Sequence, residues 1–117
     1  MSTQRSEKAI QAALVEALHQ LGCHVSSTSQ YRPSKQALGL PDLYVMWPSK
    51  YAAFWIEVKR PGFNRSPTQV AWATIAAGTP VPVLVIHSVA ELLAELTTAG
   101  LLPRPARRIP LCETSPA

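Results

Sequence analysis

The sequence has only two cysteines, Cys23 and Cys112, among 117 residues. They can form one bridge at most, which argues against a disulfide scaffold. Its three histidines, His19, His24 and His87, are scattered without ligand spacing, which argues against a zinc finger. Long apolar runs are also missing. The run Val81 to Ile86 is interrupted by Pro82 and falls far short of a bilayer span, as does every other run. The segment Ser2 to Lys8 is polar, so a secretory leader is not expected, and the default is a reduced cytoplasmic domain. Acidic residues are scarce as well. There are seven against eleven Lys and Arg, giving a net charge of +4 and a pI near 9.4. That balance favours a polyanionic partner, though only mildly. Asp42 is the only aspartate, and Asp42 and Glu57 are the only acids between Ala17 and Ala90. Carboxylate chemistry in the middle of the chain must use these two.

What is present suffices for one domain. Hydrophobic residues make up 47% and charged residues 15%, enough apolar material for a core without staples. Ser6 to Leu21 reads as a helix, because Ile10, Ala13, Leu14, Ala17, Leu18 and Leu21 recur at helical spacing. Gly22 is placed to end it. Cys23 to Ser29 reads as an edge strand, and Tyr31 to Leu40 as a basic loop. Leu43 to Trp47 is a buried strand, Pro48 to Lys50 a turn and Tyr51 to Lys59 a second strand, together a hairpin. Pro67 to Ala77 is a helix opened by a Ser66-x-x-Gln69 capping box with proline at the first helical position. Val81 to Ile86 is a further strand. Ser88 then caps a last helix, with Glu91 at the matching position and Gly100 at its close. The order α-β-β-β-α-β-α gives an α/β fold, a mixed central sheet flanked by helices. Residues 1–102 form the domain. Pro103 to Ala117, rich in proline and carrying Arg104, Arg107 and Arg108, reads as a flexible basic tail that either tracks DNA or is merely solvated.

Alternation in the second hairpin strand sends Phe54, Ile56 and Val58 one way and Ala53, Trp55, Glu57 and Lys59 the other. Asp42 heads the partner strand, so the hairpin brings Asp42 towards Glu57. Two carboxylates and a main-chain carbonyl, that of Val58, make a hard-oxygen set suited to Mg²⁺ or Mn²⁺. Lys59 is placed to position a water or offset charge on a phosphoryl oxygen. Glu7 lies on the apolar side of the first helix and could reach the same ion. It could equally serve only the helix dipole. Ser66 and Gln69 have a complete account as a cap; capping is the better reading for Ser66, and Gln69 is divided between the cap and the edge of the site. Trp47, Trp55 and Trp72 suit a core or interface better than base stacking. Cys23 suits a buried small hydrophobe.

The set Gly39-Leu40-Pro41-Asp42, Glu57-Val58-Lys59, Ser66 and Gln69 resembles the PD-(D/E)XK nuclease superfamily. The short spacing, with Ser6-Glu7 opening the first helix, is similar to the VRR-NUC domain in its compact form common in phages and prophages. The resemblance covers roughly Arg5 to Leu96. Relatives often carry Arg-Arg-Gly before Pro-Asp, whereas this chain has Gln36-Ala37-Leu38-Gly39, with Arg32 and Lys35 as nearby basic substitutes. The resemblance implies a restriction-endonuclease-like core and a Mg²⁺- or Mn²⁺-dependent DNA endonuclease. In it Asp42 and Glu57 are metal ligands, Lys59 the catalytic lysine, Glu7 the helix acid and Gln69 a residue at the edge of the site. It also implies a homodimer acting on Holliday junctions or other branched DNA, with no membrane and no small-molecule cofactor. Arg32, Lys35, Lys50, Arg60 and Arg65 would grip phosphates. The competing readings are a non-catalytic nucleic-acid-binding module that keeps the fold, and a scaffold with no nucleic-acid partner.

Overall fold

The computed structural model describes residues 6–28 and 39–103. Helix α1 (Glu7–Gln20) starts at Ser6, whose hydroxyl accepts the Ala9 N–H at 3.1 Å, and carries Glu7 in its first turn. Its buried seam is Ile10, Leu14 and Leu18. Leu21 instead follows the helix as its cap, half-buried against the core. Gly22 turns the chain away with φ 93°, a left-handed conformation that glycine adopts without steric cost.

Four strands form one sheet in the order β1 (His24–Ser27), β2 (Leu43–Trp47), β3 (Ala52–Val58), β4 (Val83–Ile86). The first three are antiparallel, with Ser27 opposite Leu43 and Leu43 opposite Ile56. β4 runs parallel to β3, with Val58 beside Ile86, because helix α2 (Pro67–Ala76) carries the chain back between them. Helix α3 (Val89–Thr98) follows β4. The sheet is therefore mixed, and the architecture is the expected α/β one.

Of the strand boundaries that differ from the sequence expectation, two have a clear local cause. Tyr51 belongs to the turn. After the single 3-10 turn Pro48–Lys50, its N–H bonds the Pro48 carbonyl, and its φ of 51° reverses the chain. β4 starts at Val83, two residues later than the apolar run suggests. Pro82 has no N–H to donate, and only its carbonyl joins the sheet, accepting from Trp55 N–H at 2.8 Å.

The sheet has two unlike faces. Leu43, Val45, Trp47, Phe54, Ile56, Val58 and Ile86 pack with Ile10, Leu14, Leu18, Leu92 and Leu96 in a core closed by α1 and α3. Each such side chain, fully buried, contributes about 1.5–3 kcal/mol. The opposite face carries Tyr44, Trp55 and Glu57 beneath α2. There Tyr44 leans on Trp55 (ring centroids 4.6 Å apart), and Trp55 meets the edge of Trp72 at 5.0 Å. The tryptophans are thus divided, Trp47 in the main core and Trp55 and Trp72 joining α2 to the sheet. Among the described residues no helix is long and apolar enough to cross a membrane. Arg32, Lys35 and the tail beyond residue 103 lie outside the described residues.

Candidate active site

The site forms where the β2–β3 ladder ends. Continuing the register one step beyond Leu43 and Ile56 sets Asp42 against Glu57. Here the main-chain pairing slips, and the Asp42 N–H donates to the Ile56 carbonyl at 3.0 Å. The next β3 donor facing this side, Val58 N–H, is met by the Asp42 carboxylate, with Oδ2 accepting at 2.7 Å. A side chain thus replaces a ladder carbonyl, which fixes the direction of that carboxylate. The Val58 carbonyl opens to the same side as its N–H, by the regular alternation of a strand.

The Asp42 main chain is pinned from behind. Thr28 is buried, and its hydroxyl donates to the Pro41 carbonyl at 2.7 Å. Its N–H donates to the Asp42 carbonyl at 3.0 Å. No motif marks this role, because a threonine at the end of a polar edge strand looks like any other.

Glu57 is 2% exposed. A carboxylate that buried is costly without hydrogen-bond partners. Gln69 supplies one, its Nε2 donating to Glu57 Oε2 at 2.6 Å. The other end of the same amide completes the capping box. Gln69 Oε1 accepts the Ser66 N–H at 2.7 Å, while Ser66 Oγ accepts the Gln69 N–H. Cap and site contact, weighed as alternatives in the sequence, are two ends of one side chain. The start of α2 is therefore tied directly to the buried carboxylate.

Gly39 closes the other wall. Its φ is 72°, and a Cβ there would lie 2.3 Å from the Thr68 carbonyl oxygen. The loop leading to Asp42 therefore rests its backbone on the first turn of α2. Between them is an open cleft of about 350 Å³ lined by Gly39, Leu40, Lys59, Asn64, Ser66, Thr68 and Gln69. Lys59 extends β3 by one residue, its N–H bonded to the Ile86 carbonyl. Asn64 and Thr68 were not singled out in the sequence, and Thr68 joins through a 3.1 Å hydroxyl contact with Ser66.

The remaining candidates separate. Arg65, half-buried, directly precedes the cap of α2. The Arg60 guanidinium lies over the Phe63 ring at 4.2 Å, in a turn closed by Phe63 N–H to the Arg60 carbonyl. Lys50 sits at the other end of the hairpin, its Nζ 6.0 Å from the Trp47 ring, so the five residues of β2, about 17 Å, separate it from Asp42. Glu7 stands in the first turn of α1, half-buried, one turn before Ile10. It does not complete a cluster with Asp42 and Glu57, since no group of three His, Cys, Asp or Glu suited to a metal occurs among the described residues. Burial pushes the Cys23 thiol up to about 11, which removes it from nucleophilic chemistry at neutral pH. The donor set is therefore two carboxylates beside main-chain oxygen. It suits a hard cation that keeps part of its water shell, and not zinc or copper.

By sequence alone the chain matches neither a family model nor a curated relative. Its fold does match. A solved structure described as "VRR_NUC domain" superposes with a TM-score of 0.63 and 25% sequence identity, covering 79% of this chain and 94% of that one. The chain has a nuclease-type fold similar to that of the VRR_NUC domain. The VRR-NUC resemblance of the Pro41-Asp42 and Glu57-Val58-Lys59 motifs therefore agrees with the three-dimensional likeness.

Proposed function

We propose that this VRR-NUC-type domain is a Mg²⁺- or Mn²⁺-dependent endonuclease that hydrolyses phosphodiester bonds in DNA, selecting branched structures such as Holliday junctions. The observation that carries the reading is the convergence of Asp42 and Glu57 at one ladder end, each held by a specific protein donor, with Lys59 opening into the adjoining cleft.

Asp42, Glu57 and the Val58 carbonyl are the groups that would hold the cation. When bound, such an ion supplies a water acidic enough to attack near neutral pH and offsets charge on a phosphoryl oxygen. The protein's own part is positioning. Val58 N–H and Gln69 Nε2 each fix one oxygen of a carboxylate, so the pair does not reorganise when substrate arrives. Lys59 lines the cleft, and its ammonium would hydrogen-bond the attacking water or a non-bridging phosphate oxygen. Arg65, and Arg60 on its Phe63 platform, lie on the segment between β3 and α2 and bind flanking phosphates. Such contacts orient a duplex without reading sequence. The small domain favours selection by DNA shape over a long recognition sequence. Two strands are cut at a junction, so the active species is a homodimer.

The test is cleavage of labelled four-way junction, flap and linear duplex in Mg²⁺, Mn²⁺ or EDTA. Metal-dependent cutting with a preference for the branched substrates is expected. Binding without cutting in either metal would overturn the enzymatic reading.

A further inference from the structure

The segment between β3 and α2 carries an aromatic residue that the proposed chemistry does not use. Arg60, Pro61, Gly62 and Phe63 form a closed turn, with the Phe63 N–H donating to the Arg60 carbonyl at 3.1 Å. Proline at the second position and glycine at the third, with φ 89°, are the residues that suit a type II turn. The proline ring fixes one of the two central φ angles, so the turn is stiff without help from the core. It stands out from the domain surface. Residues 61–64 are all exposed, and a Cβ at Gly62 would meet no atom within 4 Å.

Phe63 is 47% exposed. A single exposed phenylalanine is common on protein surfaces and by itself means nothing. Three further observations set this one apart. The Arg60 guanidinium lies over one face of the ring, 4.2 Å from its centroid, and steadies the ring's orientation. Lys59, Arg60 and Arg65 make the segment basic, and no acid occurs between Glu57 and Glu91. Asn64, the next residue, lines the cleft together with Lys59. The turn keeps the Arg60 and Phe63 α-carbons within about 7 Å, so Phe63 stands within about 11 Å of the Lys59 α-carbon.

We propose that Phe63 is a stacking platform for a nucleobase left unstacked at a branch point of the bound DNA. This rests on the reading of the domain as a DNA nuclease, and it names the feature of the substrate that selects for branching. An aromatic ring beside a basic track is how proteins hold unpaired nucleic acid. The cations follow the backbone, and the ring takes a base whatever its identity. Arg60 and Phe63 divide these roles. The guanidinium is planar, so stacking on the ring leaves its N–H edge to meet a phosphate. The opposite ring face takes the base. Within continuous duplex every base is already stacked on both sides, and the ring could engage one only by unstacking a step, at a cost. At a flap, gap or junction the end base offers a bare π-face. A rise of about 3.4 Å per nucleotide puts the stacked base within about three nucleotides of the phosphate at Lys59.

The test is binding of the full chain, in EDTA and at one fixed salt concentration, to a linear duplex and to the same duplex bearing a short single-stranded flap, read by fluorescence anisotropy. Phe63→Ala should weaken flap binding by roughly 5- to 100-fold and duplex binding by less than about 3-fold. Phe63→Leu keeps apolar bulk without the π-face and should show the same selective loss. Phe63→Trp should bind the flap at least as tightly as wild type, and it carries the test should the smaller side chains not fold. Thermal unfolding should find all three variants folded, since the ring is half-exposed. Equal losses on both DNAs, an unchanged flap-to-duplex ratio in Phe63→Ala, weaker flap binding by Phe63→Trp, or a wild type with no preference for the flap would overturn the platform. These readings need no metal and no cutting. A protein that holds the flap through Phe63 yet never cuts would overturn the nuclease reading alone. One whose Phe63→Ala variant cuts branched DNA as selectively as wild type would overturn the platform alone.

Discussion

Gln69 offers the sharpest perturbation, because its two amide atoms do separable things. Gln69→Ala removes the Oε1 half of the capping box and the Nε2 donor to Glu57. Loss of a cap costs about 1 kcal/mol. Leaving a buried carboxylate short of a donor costs roughly 1–3 kcal/mol more. The sum, about 2–4 kcal/mol, is a large share of a small domain's stability and would lower Tm by roughly 10–20 °C. Ser66→Ala removes only the cap and is the comparison. Gln69→Glu keeps an acceptor for the Ser66 N–H but sets a second carboxyl against Glu57. Two carboxyls so close cannot both ionise, so the folded state holds a proton that the unfolded chain releases near its ordinary Glu value. The sign follows. A carboxyl pKa raised by folding leaves stability intact at low pH and removes it as pH rises above about 4.3, the unfolded value. Thermal unfolding of the three variants from pH 4 to pH 8 decides the matter. If Gln69→Ala costs no more than Ser66→Ala, or if Gln69→Glu shows no loss of stability with rising pH, Gln69 does not support Glu57 as described.

Other outcomes follow from neighbouring contacts. Gly39→Ala meets both a positive φ and the Thr68 carbonyl at 2.3 Å, so it should destabilise by about 2 kcal/mol or more in denaturant titration and also reduce cleavage. An effect within about 0.5 kcal/mol would mean that the loop does not rest on α2. Thr28→Val should cost about 1–3 kcal/mol by leaving the Pro41 carbonyl without its 2.7 Å donor. The same variant should slow cleavage more than it weakens DNA binding, since it loosens Asp42 and touches no DNA. Cys23, raised from 9.0 to about 11 by burial, keeps its proton on folding. Its contribution is fully present below about pH 9 and is lost as pH rises towards 11, so Cys23→Ala should flatten that alkaline limb in pH-dependent unfolding.

Much of this arrangement can be read from the chain, for identifiable reasons. Strand pairing follows from Leu43–Trp47 and the alternating residues of β3, because one-sided burial fixes register. Both helix starts after β3 are visible as Ser66 and Ser88, whose hydroxyls accept the N–H groups of Gln69 and Glu91. Glu91 departs from the expected pattern. Its Oε1 accepts from the His87 N–H at 2.6 Å and lies 2.8 Å from the His87 ring, one residue before the cap. Local motifs do not specify such a shift, and ligand spacing says nothing about a contact between His87 and a helix acid. Tyr51 falls at the start of the expected strand Tyr51 to Lys59, yet it lies in the turn. The turn won because the chain had to reverse after one 3-10 turn. Asp42 and Glu57 stand out as candidates because acids are so scarce here, and Lys59 because it follows Glu57 at i+2. Thr28, Asn64 and Thr68 carry no motif, since Thr28 reaches the site by pinning the Pro41 and Asp42 main chain and Asn64 and Thr68 by lining the cleft. Lys50 shares the charge of the other candidate cations, while the length of β2 sets it about 17 Å from Asp42.

The central claim is that Asp42, Glu57 and Lys59 form a catalytic centre and not merely a structural cluster. The direct measurement is single-turnover cleavage of a four-way junction by Lys59→Ala in Mg²⁺, beside its affinity for the same junction in EDTA. A positioned proton donor or charge is worth about 10²–10⁴ in rate. The account predicts a loss of that order with affinity changed no more than a few-fold. Cleavage that survives Lys59→Ala at the wild-type rate would contradict it.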